Sequence, residues 1–177
     1  VYSRMGNYPK AMELYLEKLK LEESGKNPRN LASVLLNIGI VYSFQQDYSE
    51  ALGYYKKADN IISANKIKEM VHYVNINLGD IYEKLKKIDS AQYYYNLTYQ
   101  NAIQTQNIHN EALAYIGLGN VYSKIGQEYL AIQNYNKAIP ILNQEKNFEL
   151  LSETYLGLAK VHNLFGNEKE EILNAGL

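Results

Sequence analysis

Apolar residues recur at spacings of three and four along nearly the whole chain, the signature of amphipathic helices. One kind of stretch carries Leu35, Ile38, Val41 and Tyr42, and again Val74, Leu78, Ile81, Tyr82 and Leu85. A second kind carries Tyr48, Ala51, Leu52, Tyr55 and Ala58, followed by Ile61 and Ile62. Polar breaks separate the two kinds, at Gln45–Asp47, Lys86–Asp89, Gly126–Gln127 and Gly166–Asn167. The pattern predicts helices over 8–23, 31–45, 48–64, 67–86, 89–106, 109–125, 128–145, 148–164 and 168–175. The stretch ESGKNPRN, from Glu23 to Asn30, reads as the clearest loop, because Gly25 and Pro28 interrupt helix. Pro140 falls inside a predicted helix and is expected to kink it.

The pattern repeats with a step of 40 residues. Ala11, Ala51, Ala91 and Ala131 share one column, which Glu171 closes. Tyr15, Tyr55, Tyr95 and Tyr135 share a second, and Tyr2, Tyr42, Tyr82 and Tyr122 a third, closed by His162. Gly39, Gly79 and Gly119 share a fourth, closed by Ala159. No insertion disturbs the register, so each unit is a pair of helices repeated in step. The resulting division is a partial unit 1–30, units 31–66, 67–107 and 108–146, and a partial unit 147–177.

A glycine in a helix interior costs about 1 kcal/mol against alanine. Here it recurs wherever the second helix of the unit brings a small alanine, which predicts that two backbones cross closely. Tyrosine is used eighteen times, against three phenylalanines and no tryptophan. In a thin stack of helices few sites are remote from water. A tyrosine ring fills space between helices while its hydroxyl reaches solvent or a polar acceptor. The tyrosine columns are therefore read as core.

The spacing Ile38-Gly39…Tyr42…Ala51…Tyr55…Ala58 resembles the tetratricopeptide repeat. It recurs as Leu78-Gly79…Tyr82…Ala91…Tyr95 and as Leu118-Gly119…Tyr122…Ala131…Tyr135…Ala138, covering nearly the whole chain. The resemblance implies an all-α fold, a right-handed superhelical solenoid of antiparallel helix pairs. The step departs from the family's usual 34 residues or so, and the additional residues fall between units, as in DNIISANKIKEMVHY. Similar long-period arrays occur in partner-of-inscuteable-type scaffolds, kinesin light chains, and bacterial regulators and sensor kinases. Thr98 replaces the last small residue of its unit, which should loosen that contact. The chain opens at Val1, inside what reads as the last turn of a first helix, and no polar cap closes either end. The expectation is an excised segment, or one that associates through its raw ends.

The resemblance also implies that the first helices line a concave face that holds a protein or peptide segment. One stripe of each first helix would form it: Ser33, Asn37, Ile40 and Phe44; then Tyr73, Asn77, Asp80 and Lys84; then Leu113, Gly117, Asn120 and Lys124; then Glu153, Gly157, Lys160 and Leu164. Asn37 and Asn77 share a column, and an amide carries both donors and an acceptor for the backbone of an extended peptide. That column continues as Gly117 and Gly157, so the ladder has two rungs. Lys124 and Lys160 make one end of the face more basic, and Asp80 and Glu83 make the other more acidic.

Composition narrows the chemistry. A net charge of −1 gives no electrostatic footprint for nucleic acid. With no cysteine, disulfides, thiolate metal sites and cysteine nucleophiles are excluded together. No apolar run spans a membrane, and no leader segment opens the chain. The segment is expected to be soluble, either cytoplasmic or periplasmic, since cysteine usage does not decide the compartment. His72, His109 and His162 stand apart, none with a second histidine three or four residues on, so no metal site is expected; His162 reads as a packed substitute for tyrosine. Gly117 and Gly119 belong to the repeat and no phosphate loop completes around them. Asn96-Leu97-Thr98 spells a glycosylation sequon but falls in mid-helix. No cofactor and no catalysis are expected. The reading is a peptide- or protein-binding scaffold, the sensory or regulatory segment of a bacterial signalling protein. The competing reading is a structural spacer or oligomeriser that joins through its ends.

Overall fold

The computed structural model describes residues 7–174, with side chains through Leu164 and at Gly166. The expected turn at Val1–Met5, Tyr2 with it, and residues 175–177 lie outside the described residues, as does the side chain of Glu171. Eight helices follow in order: α1 (Tyr8–Ser24), α2 (Pro28–Phe44), α3 (Tyr48–Ala64), α4 (Val71–Lys84), α5 (Ile88–Thr105), α6 (Ile108–Lys124), α7 (Glu128–Glu145) and α8 (Phe148–Asn174). A 3-10 turn, Lys68–Met70, leads into α4. No strand occurs among the described residues.

The helices divide into two compact units, one up to Tyr94 and one from Tyr95 onward. In the first, α2 and α3 form a tight hairpin, with α1 beside α2 and α4 beside α3. In the second, α6 and α7 form the same hairpin and α8 packs on α7.

The turns explain the uniform register. Gln46, Lys86 and Gly126 occupy one column, and each adopts a left-handed φ, of 63°, 58° and 75°. At each, two backbone bonds close the preceding helix: Asp47 N–H donates to Tyr42 O at 2.9 Å and Gln46 N–H to Ser43 O at 3.0 Å. Lys87 N–H to Tyr82 O (2.8 Å) and Gln127 N–H to Tyr122 O (2.9 Å) repeat it. This satisfies carbonyls that a helix end otherwise leaves orphaned. Between units, Lys66, Gln106 and Lys146 turn the chain the same way.

Three expectations are corrected. Pro28 starts α2 instead of interrupting it: a proline at the first position of a helix loses no hydrogen bond, and Asn27 caps the end by accepting from Arg29 and Asn30 N–H at 3.1 and 3.2 Å. Gly166–Asn167 does not break the last helix; α8 runs on to Asn174. His162 is exposed, because no helix packs over that side of α8 among the described residues. α7 passes Pro140 without interruption.

The core consists of the repeat columns. Ala51, Ala91 and Ala131 have no exposure, and Tyr55, Tyr95 and Tyr135 have 1–2%. In the first unit Tyr42 stacks on Tyr54 and Tyr82 on Tyr94, with centroids 5.4 and 5.5 Å apart. In the second, Asn134 takes the place of the outer ring; it is buried and returns its N–H to Leu130 O at 2.8 Å.

Candidate functional site

The glycines and tyrosines together decide where open space remains. A Cβ at Gly119 would lie 2.7 Å from Tyr135 Cε1, and one at Gly157 would lie 2.8 Å from Tyr135 Cζ. Tyr135 is thus clasped between a glycine of α6 and a glycine of α8. Gly39 receives Tyr55 in the same way, and Gly117 receives Tyr95. The expected crossing of two backbones over an alanine is therefore replaced by a glycine that accommodates a ring. The hydroxyl of Tyr135 donates to Asn120 Oδ1 at 2.6 Å, while burial and then the Asp80 carboxylate push the Tyr55 phenol well above its usual range.

This accounts for the column Asn37, Asn77, Gly117, Gly157. Gly117 and Gly157 are occupied by tyrosine rings and offer no groups to a ligand. At Asn37 and Asn77 the side chains persist, half-buried, beside an open cleft of about 440 Å³ between α2 and α4. Its lining includes five of the anticipated residues: Ser33, Asn37, Ile40, Tyr73 and Asn77. Leu36 and Met70 add a buried apolar floor, and Arg29 and Asn30 stand at the rim. Asn37 Nδ2 donates to Ser33 O at 2.8 Å and Asn77 Nδ2 to Tyr73 O at 2.7 Å. Each amide is thereby held to its own helix by one N–H, and an amide has a second N–H and an acceptor oxygen besides. Tyr73, 54% exposed, also lines the cleft, with its ring against that of His72 at 3.8 Å between centroids. Arg29 pairs with Glu69 across the end of the cleft at 2.8 Å.

Arg29 lies four residues before Ser33, on the same helical stripe, and was missed because that segment was read as loop. Met70 falls inside the predicted helix 67–86; the structure instead places it in the 3-10 turn Lys68–Met70 that leads into α4. The other anticipated residues fall elsewhere. Phe44 stacks on Tyr8 of α1 at 5.8 Å. Asp80 and Lys84 are exposed on α4 beyond the cleft. Glu83, expected to add acidity to that face, is 8% exposed and belongs to the interior. In the second unit Leu113 is half-buried, Lys124 and Lys160 are exposed, and the Asn120 carbonyl is engaged by Tyr135.

No group of histidine and acidic residues that could hold a metal ion occurs among the described residues. No helix among them is long and apolar enough to cross a membrane.

A tetratricopeptide repeat family model matches residues 1–61 and 71–144. The chain belongs to the tetratricopeptide repeat family. Tetratricopeptide repeats are a non-enzymatic protein-interaction family that generally binds protein partners. No curated protein matches its sequence. Among solved structures, BtubC (BKLC) from P. vanneervenii is similar with a TM-score of 0.79 and 22% identity, over 93% of this chain and 69% of that one. Aspartyl phosphate phosphatase F from Bacillus subtilis is similar with a TM-score of 0.60 and 19% identity, over 91% of this chain. The tetratricopeptide chain spans 46% of the phosphatase's length. At these identities the likeness is one of fold.

Proposed function

We propose that this tetratricopeptide array binds an extended segment of another protein, and that the α2–α4 cleft is where the segment is held. One observation carries the reading: two asparagines of successive first helices present amide groups over an apolar floor in a half-open cleft. An extended backbone alternates donors and acceptors, and an amide pairs with both whatever the ligand's side chains are. Leu36, Ile40 and Met70 give an apolar side chain somewhere to go, and Tyr73 covers it from one side. The likeness to a Bacillus subtilis aspartyl phosphate phosphatase supports, by analogy, a place in a bacterial signalling protein. Reading the codons that flank the segment tests that context: a neighbouring kinase or helix-turn-helix supports it, and an unrelated fusion refutes it.

The cleft itself is tested with a displayed library of random peptides panned on the purified chain, with binders measured by calorimetry. Changing Asn37→Ala together with Asn77→Ala removes at least two hydrogen bonds at about 0.5–1.5 kcal/mol each and should weaken binding by about fivefold to a hundredfold. Binders indifferent to that pair and to Tyr73→Ala would refute the assignment.

A further inference from the structure

One side of α8 is committed to the interior of the second unit, against α7 and α6. Leu150 and Leu151 pack with Ala112, Ala138 and Leu142, Leu158 and Val161 pack with Ala131 and Tyr135, and Gly157 accepts the Tyr135 ring. The opposite side has no helix over it among the described residues. Ser152, Leu156, Ala159 and Asn163 run down its centre at spacings of four, three and four, and all are exposed, Leu156 by 57%. Glu153 and Lys160 flank that line on one side, and Tyr155, 50% exposed, and His162 flank it on the other. Two helices that pair side by side use such a seam, with a small or apolar centre bordered by longer side chains.

The side chains on this seam are ordered for a second copy running the other way. When two copies of one helix pair antiparallel about a twofold axis, the same flank of each meets the other. Glu153 of one copy then faces Lys160 of the other, and Tyr155 faces His162. In the centre Leu156 faces Ala159, and Ser152 faces Asn163. All four pairs share one midpoint, between Gly157 and Leu158, to within a residue. Each pair occurs twice across the axis, so opposite charges, rings and apolar groups match together. Among the described residues neither Glu153 nor Lys160 has an ion-pair partner in its own chain.

We propose that the open face of α8 is the docking surface of α8 from a second copy of this chain, seated antiparallel across a twofold axis. The occupant is chosen by the charge order on one flank, Glu153 before Lys160, which complements itself only when reversed. The α1 helix of another copy, laid on α8 as α7 lies on α6, fits worse. Tyr15 stands in the column of Tyr135 and would meet the Ala159 methyl where Gly119 leaves room for the ring. A face that pairs with itself stops at two copies, whereas joining through opposite ends continues. This inference is independent of the α2–α4 cleft, which lies in the other unit.

Sedimentation equilibrium of the chain over a wide range of concentrations should give a monomer–dimer equilibrium that goes no further than two copies. Glu153→Lys alone, or Lys160→Glu alone, sets like charges against each other at both symmetric pairs and should weaken the dimer about tenfold. The two changes together restore opposite charges with their signs exchanged and should recover the parent affinity. Both positions are exposed, and circular dichroism checks that each variant stays folded. The chain has no cysteine, so cross-linking reads the direction. Ser152→Cys chains mixed with Asn163→Cys chains should oxidise to each other in preference to their own kind. A chain that stays monomeric overturns the proposal, as do assemblies that grow beyond two copies. So do a dimer indifferent to the single charge changes, losses that the double change fails to recover, and Ser152→Cys chains that link mainly to themselves.

Discussion

Replacing Gly119 by alanine distinguishes a ring held by glycines from two backbones in contact. The added methyl would stand 2.7, 2.8 and 3.0 Å from Cε1, Cδ1 and Cζ of Tyr135. The ring is 2% exposed and has no room to retreat. Gly157 closes the opposite side, and the hydroxyl is tied to Asn120 at 2.6 Å. Overpacking of this kind costs about 1–3 kcal/mol. Alanine's better helix propensity returns about 1 kcal/mol, so the net effect runs from neutral to a loss of about 2 kcal/mol. The control is Gly53→Ala in α3, where nothing lies within 4 Å of the new methyl. There only the propensity gain remains, about 1 kcal/mol of stabilisation. Urea unfolding followed by far-ultraviolet circular dichroism should separate the two variants by about 1–3 kcal/mol. In a Tyr135→Leu background the ring is gone, and Gly119→Ala should then stabilise as Gly53→Ala does. A Gly119→Ala variant as stable as Gly53→Ala would refute the reasoning, and a penalty that persists without the ring would reinstate the backbone crossing.

Other outcomes follow from the same geometry. Asn27→Ala should cost about 1 kcal/mol in urea unfolding, since Asn27 alone caps α2 through Arg29 and Asn30 N–H. Gly126→Ala should cost about 1–2 kcal/mol although nothing crowds the site, because its φ of 75° is left-handed; the same assay reads it. Alkaline pH should unfold the chain by linkage. The Tyr55 phenol is raised by burial and by Asp80, so the folded state holds a proton that the unfolded chain releases near its ordinary pKa of about 10. The stability it contributes is intact below that pH and is lost as pH rises toward the folded value, by up to about 1.4 kcal/mol per pH unit. Urea midpoints measured across this range should fall less steeply for Tyr55→Phe; equal slopes would contradict the assignment.

The sequence by itself determined the helices, their register and the core. A helix reports its buried face every three to four residues, and a repeat states it again in every unit, so Ala51, Tyr55, Tyr95 and Tyr135 were legible without coordinates. The stripe rule also brought Ser33, Asn37, Ile40, Tyr73 and Asn77 to one place, since positions four and three apart share a side. Tertiary structure decided what faces what. Whether a glycine lies against an alanine or beneath a ring depends on how two helices lean together, and spacing along one helix carries no information about that. The same contacts divided the asparagine column, leaving Asn37 and Asn77 beside an opening while tyrosines fill the room at Gly117 and Gly157. They drew Glu83 into the interior and left His162 in the open. Pro28 was misread because proline ends a helix from within and begins one from outside, and only the cap at Asn27 tells which. Local periodicity is written in the order of residues, whereas enclosure is a property of the neighbours that folding supplies.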